Sequence, residues 1–383
     1  MNQLPLSGVR VLDLTRLLPG PYATLLLAEL GAEVIKIETP RHGDPLRWMP
    51  ALDPRANELL FYMVNRGKKS LTLNAKSQQG KAILRELVRR ADVLLEGYRP
   101  GVMQRLGLDY DALAAVNPRL VYASLSGYGQ TGPYAPRAGH DLNYIAMSGL
   151  LALTGSPDGP PAIPGVQLAD LGGALWTALG IAAALAGRAQ SEHGQYLDVS
   201  MTGGVAALLV VPLTQWLCAG RPPRRGTMPL TGGLACYNVY RTAEGQYMAL
   251  AALEPPFWHA FCMTVGREDW LGRQNDADQQ GLTVELAAFF ATQPRAHWEA
   301  LLCNPDCCCD PVLELDEALG HPHAVARGLL QEEMAGAVLA TPLSPRGVPL
   351  GPAPALGQHT AELLAELGYG APDLERLRQE GVV

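Results

Sequence analysis

Net positive charge is missing from this sequence. Its 383 residues carry 30 Lys and Arg against 37 Asp and Glu, a formal net charge of −7. That balance argues against a nucleic-acid partner and against a polybasic membrane contact. A run of about eighteen uncharged apolar residues is also missing, because polar residues and glycines keep interrupting, and no membrane span is expected. Residues 1–8 lack the basic start and apolar stretch of a secretory signal. The ending Gly381-Val382-Val383 is not a peroxisomal tripeptide. The 7 cysteines are odd in number and form no C-x-x-C pair, so they read as reduced thiols of a cytoplasmic protein. The obvious metal candidate, Cys307-Cys308-Cys309 with Cys303 upstream, is discounted. Adjacent cysteines point in divergent directions, and His321 and His323 follow at no recognised ligand spacing.

What is present is a chain that is 48% hydrophobic, enough for one large core or two moderate ones, with 41 Gly and 31 Pro to shape its loops. Short β-like runs occur at 9–14, 34–38, 70–74, 92–96 and 120–125. Helical patterns open at Pro19-Gly20-Pro21 and span 79–90. Strands alternating with helices predict a parallel or mostly parallel sheet covered on both faces. A large α/β domain is expected over 1–200 and a linker over 201–225, marked by Pro222-Pro223. A smaller α+β domain should follow over 226–315, with a strand–turn–strand–helix pattern at 237–258. A returning linker over 316–340 would lead to 341–383, where Pro-rich chain and a helix over 360–367 complete the first domain.

The first strand, turn, helix and second strand, ending at Glu38, mimic a dinucleotide-binding unit. The G-x-G-x-x-G fingerprint is absent, since Pro19-Gly20-Pro21 has a single glycine, and a dehydrogenase is excluded on that ground. Cationic residues nevertheless recur beside the strand ends: Arg41, Arg47, Arg66, Lys68, Lys69, Lys76, Arg99 and Arg105. Loops at strand carboxyl ends gather into one crevice, which suits a ligand carrying several phosphates. Any single Lys or Arg of this kind is more often a solvated surface charge, and the clustering on one edge is the informative part.

Two further residues stand out. His140 sits in Gly139-His140-Asp141-Leu142-Asn143-Tyr144, and Asp170 precedes Gly172-Gly173 and an apolar helix over 174–186. A lone His is commonly a hydrogen-bonded structural residue, and Asp170 alone reads first as an N-cap. The same geometry also admits chemistry. Two titratable groups can exchange protons with a carbon, and a helix N-terminus offers N–H groups to an enolate oxygen.

Leu6 to Leu14, Pro19-Gly20-Pro21, Leu30 to Glu38, Asn65 to Ser70, Tyr98 to Val102, Leu125 to Pro133, Gly194 to Met201 and His321 to Gly328 together resemble the family III CoA-transferases, the CaiB/BaiF group. The resemblance runs in order along nearly the whole chain. It implies a Rossmann-like large domain with a smaller α+β domain in an interlocked homodimer, and an acyl-CoA substrate with coenzyme A bound as part of it. Neither metal nor redox cofactor would be needed. Two chemistries occur in the family: CoA transfer between carboxylic acids with the Asp170 equivalent as nucleophile, and racemisation in the α-methylacyl-CoA branch with it as one of two bases. The Gly139–Tyr144 block, Ala252 to Phe257 and Leu17 to Pro21 resemble the racemase branch, which acts in lipid metabolism. By that resemblance His140 would serve the 2S face and Asp170 the 2R face. The Asp170 N–H would receive the enolate oxygen, and Glu254 would orient or tune a base. Coenzyme A would contact Arg99, Arg105, Thr72, Leu73, Asn74, Ala75 and Lys76, with Gly139, Asp141 and Tyr144 nearby. Thr39 stands where relatives carry a phosphate-binding Arg, and Arg41 is expected to replace it.

Overall fold

The computed structural model describes residues 4–49, 53–333, 336–344 and 350–383. Residues 1–3 of the N-terminal reading and 345–349 of the Pro-rich stretch lie outside the described residues. The chain divides into two units. One comprises 1–148, 165–208 and 323–383, the other 149–164 and 209–322. The stretch expected as a 201–225 linker carries two helices, Met201–Ala206 and Val210–Ala219. Part of the 316–340 stretch forms an antiparallel hairpin, Leu330–Glu333 with Gly336–Leu339. Apolar side chains such as Met201, Val205 and Val338 are buried there, which the Pro and Gly signals did not reveal.

In the first unit the five β-like runs become strands β1 (Arg10–Leu14), β2 (Glu33–Glu38), β3 (Lys69–Thr72), β4 (Val93–Glu96) and β5 (Val121–Ser126), and a sixth strand, β6 (Tyr196–Ser200), joins them without having been expected from its pattern. They form one sheet in the order β3-β2-β1-β4-β5-β6, every pair parallel. Both faces are covered over the central strands, so β1, β2, β4 and β5 read as continuous buried runs rather than alternating ones, while the edge strand β6 is partly exposed. On one face Leu12, Leu94 and Tyr122 pack with Ile83, Leu84 and Leu87 of the helix Gln78–Arg89. Leu363, Leu364 and Leu377 from the C-terminal helices join the same cluster. On the other face lie the helices Pro19–Glu29 and Leu168–Ser191. The second of these is long and apolar enough to cross a membrane by length and composition alone. That differs from the expectation of no such stretch, because its glycines are all helical and interrupt nothing.

An ion network lies inside the first unit. The Asp13 carboxylate accepts hydrogen bonds from the Thr15 N–H (2.9 Å), the Thr15 and Thr24 hydroxyls and the Lys68 ammonium (3.3 Å). Lys36 pairs with Asp44 at 2.8 Å, both side chains at 0% exposure. Burial pushes Asp13 upward, but the two lysines and the hydroxyls outweigh it and hold the carboxyl down at about 2. Lys68 is drawn down to about 7, chiefly by burial. The Lys36 ammonium also donates to the Thr15 carbonyl at 3.1 Å, so the backbone just beyond β1 is fixed from beneath.

The second unit has a three-stranded antiparallel sheet of β7 (Tyr237–Arg241), β8 (Tyr247–Ala251) and β9 (Cys309–Pro311). Gly245, at φ 86°, supplies the left-handed residue of the β7–β8 turn. Its core is aromatic, with Trp258, Phe261, Trp270, Phe290 and Trp298 all buried. Cys307 and Cys309 are buried thiols beside that core. Among the described residues no His, Cys, Asp and Glu group is placed to hold a metal.

Candidate active site

The strand order turns about β1, so the loops leaving β1 and β4 diverge and open a crevice at the carboxyl ends of the strands. A cavity of about 440 Å³ occupies that crevice. Thr15, Arg16 and Leu17 line it after β1, Gly97, Tyr98 and Arg99 after β4, and Leu125, Ser126 and Gly127 at the end of β5. His140 and Asp170 line the same cavity.

His140 is the N-cap of the helix Asp141–Ser148, as its carbonyl accepts from the N–H groups of Asn143 (2.8 Å) and Tyr144 (3.2 Å). The Asn143 side chain closes the cap by accepting from the His140 N–H at 3.0 Å. That pins the backbone and leaves the imidazole exposed on the cavity wall. The loop before it is stapled by aromatic edges: Tyr128 meets Tyr134 at 5.6 Å and Tyr144 at 5.2 Å. The Tyr144 hydroxyl donates to the Gly139 carbonyl at 2.5 Å. A Cβ on Gly139 would sit 2.6 Å from the Tyr144 ring. Gly139→Ala is therefore expected to cost about 1–3 kcal/mol by overpacking and to lower turnover by displacing the adjacent His140. Thermal unfolding and steady-state rates, measured together, check it.

Asp170 is not the N-cap. The helix begins at Leu168 with Gln167 as a cap that makes no side-chain bond, which places Asp170 at the third helical position. The capping acceptor comes from elsewhere: Asp141 Oδ1 takes the N–H groups of Ala169 (2.6 Å) and Asp170 (3.1 Å). The Asp170 N–H expected to await an enolate oxygen is thus engaged by a carboxylate. Its release requires Asp141 to move or to share the donor. Burial first, and then the neighbouring Asp141 charge, push the Asp170 carboxyl up to about 7. Such a group exchanges protons readily near neutral pH. Asp141→Asn keeps the acceptor and removes the charge. The Asp170 limb of the pH–rate profile should then move to lower pH, which kcat/KM measured across pH 5–9 would show.

The remaining expected residues divide. Arg99, Gly139 and Tyr144 line the cavity with His140 and Asp170. Thr72, Leu73, Asn74, Ala75, Lys76, Arg105 and Arg41 are not among its lining residues. Lys76 and Arg105 are exposed, and Arg41 is exposed in a left-handed turn at φ 70°. Glu254 belongs to the second unit, where its carbonyl caps the helix Pro255–Thr264. Several cations of the expected crevice are already paired. Arg47 forks onto Glu38 through two 2.8 Å bonds, Arg66 binds Glu29 at 2.7 Å, and Lys69 binds Glu33 and Glu362. Glu38, so engaged, is not a free ribose acceptor. Arg16 and Arg137, which the sequence reading passed over, do line the cavity. Arg16 sits 5.5 Å from the Tyr98 ring and Arg137 4.5 Å from that of Tyr134. Position after a strand end pointed to Arg16, while nothing local pointed to Arg137.

A crevice at the turning point of a parallel sheet, lined by three arginines, one His and one Asp of raised pKa, suits an anionic ligand with a proton-transfer centre. The model of CoA-transferase family III matches residues 6–360. The chain belongs to that family. It is 36% identical to the alpha-methylacyl-CoA racemase of Homo sapiens, over 99% of this chain and 98% of that protein. It is 39% identical to the acetyl-CoA:oxalate CoA-transferase of Acetobacter aceti, over 85% of each. A crystal structure of a CaiB/BaiF family protein from Brucella suis superposes with a TM-score of 0.82 at 31% identity, covering 96% of this chain and 100% of that one. The family is enzymatic, and the two enzymes named are a racemase and a CoA-transferase at similar identity. The Rossmann-like parallel sheet and the smaller antiparallel sheet agree with the fold expected from the sequence.

Proposed function

We propose that this family member is an α-methylacyl-CoA racemase-like isomerase. It interconverts 2R and 2S thioesters by proton transfer through an enolate. The observation that carries the reading is the joint presence of His140 and a near-neutral Asp170 lining one cavity. A thioester acidifies its α-hydrogen, and one base removes that proton while the other's conjugate acid returns one to the opposite face. In this reading Asp170 serves the 2R face and His140 the 2S face. The Asp170 N–H, shared with or released by Asp141, donates to the growing charge on the thioester oxygen. Arg16, Arg99 and Arg137 meet the phosphates of coenzyme A. Arg105 and the 72–76 segment are assigned the outer nucleotide and Arg41 a phosphate. No metal or redox cofactor enters the scheme.

A single enantiomer of an α-methylacyl-CoA, incubated with the enzyme and no acid acceptor, should lose optical purity. Retained purity, together with CoA transfer on addition of a carboxylic acid, would instead support the transferase, with Asp170 as nucleophile.

We also assign a cytoplasmic homodimer. Leu175, Trp176 and Leu179 are 55%, 40% and 61% exposed on one helix, an apolar stripe suited to a second copy. Sedimentation should give twice the 41.0 kDa chain mass, and a monomer at micromolar concentration would contradict it.

A further inference from the structure

The first unit holds a second cavity, of about 370 Å³, that shares only Arg99 and Pro100 with the first. Parallel pairing sets Glu96 beside Ser124 and Tyr122 beside Tyr196, so these four side chains share one sheet face, and all four line the cavity. Tyr110 completes an aromatic wall, with ring centroids 5.5 Å from Tyr196 and 6.1 Å from Tyr122. Asp109 and Asp111 lie on the rim.

Charge on this wall is unbalanced. Glu96, Asp109 and Asp111 face it against the one guanidinium of Arg99, and among the described residues none of the four forms a salt bridge. Glu96 is 3% exposed, with its Oε2 accepting from the Tyr98 N–H at 2.7 Å. Burial pushes this carboxyl up to about 7, so a cation arriving beside it would draw it into its charged form. On the donor side, the Gln130 main-chain N–H is engaged by Asp198, but its buried side-chain nitrogen has no hydrogen-bond partner. A buried donor left open is costly and calls for an acceptor.

We propose that this cavity binds a small zwitterion, a primary ammonium and a carboxylate on one short chain. The ammonium donates to Glu96 and rests against the tyrosine faces, where ring quadrupoles favour a cation. The carboxylate accepts from the Arg99 guanidinium, which borders both cavities and is free for it when coenzyme A is absent, and from the Gln130 amide once that buried nitrogen turns toward the cavity. A cavity of this size holds such a molecule with room for water. The site shares Arg99 with the proposed coenzyme A contacts but neither His140 nor Asp170, and its test reads binding alone, in the absence of coenzyme A.

Titration calorimetry of the full chain with γ-aminobutyrate, butyrate and butylamine tests it. γ-Aminobutyrate should bind saturably, with a Kd of about a millimolar or below, and each single-charge analogue should bind at least ~10-fold more weakly. Glu96→Gln keeps the shape and the Tyr98 acceptor while removing the charge, and should weaken γ-aminobutyrate by ~10-fold or more. Gln130→Glu, which replaces the open donor by a like charge, should do the same. No saturable heat with γ-aminobutyrate, or equal affinity in the wild type and both variants, would overturn the proposal.

Discussion

Asp170→Asn should abolish racemisation, with a fall in kcat/KM of at least ~10²–10⁴-fold, while making the folded protein more stable at pH 8. The two effects have one origin. Asp170 is held in a partly desolvated place beside Asp141, which raises its pKa from 3.8 to about 7. A carboxyl raised in this way binds its proton more tightly in the folded chain than in the unfolded one. Its stabilising share is complete below the unfolded value and is lost as pH rises through about 7. The neutral amide escapes that loss. Because Asp170 is partly open to solvent, the gain should be on the order of 1–2 kcal/mol at pH 8, and absent near pH 3.5. Chemical denaturation of both proteins at the two pH values checks the sign. A variant less stable at pH 8 would show that Asp170 is held by contacts rather than strained by burial.

Asp13→Ala should have the largest effect on stability. Asp13 is the only carboxylate that Lys68 contacts among the described ion pairs, and both side chains are at 0% exposure. Its removal takes the counter-charge from a buried ammonium, which keeps only the neutral acceptors Pro21 O, Thr24 Oγ1 and Asn65 Oδ1, and leaves the Thr15 hydroxyl without its acceptor, a loss of about 3–5 kcal/mol. That is a large part of the ~5–15 kcal/mol by which a domain is normally stable. The first unit's unfolding transition should fall by roughly 10 °C, given ~2–4 °C per kcal/mol for a domain of this size. Asp13→Asn, which can still accept from Thr15 and Thr24, should lose less. Because Thr15 lines the first cavity, Asp13→Ala should also raise KM under conditions where the chain stays folded. An unchanged melting curve would mean that the network contributes no net stability.

The sheet was largely legible from the sequence because its strands are short apolar runs punctuated by Gly and Pro, and that pattern is local. His140 and Asp170 were legible as residues but not as geometry. Asp170 looked like a cap because a carboxylate before an apolar helix normally is one. The true acceptor, Asp141, lies 29 positions away in sequence and reaches Asp170 only through folding. The cationic crevice was overread for the same reason. Glu29, Glu33 and Glu38 neutralise Arg66, Lys69 and Arg47 across strand and helix neighbours that no local window displays. Arg137 and the second cavity were missed because the first depends on the Tyr134–Tyr128–Tyr144 ladder, and the second on register between β4, β5 and β6.

The central claim, two bases on opposite faces of one carbon, is tested most directly by exchange in deuterium oxide with single-base variants. His140→Ala should wash deuterium into the 2R thioester with retention and leave the 2S thioester untouched. Asp170→Asn should do the reverse. Loss of exchange from both enantiomers in either variant, with a hydroxylamine-trappable acyl group on Asp170 of the wild type, would contradict the account and make the protein a CoA-transferase.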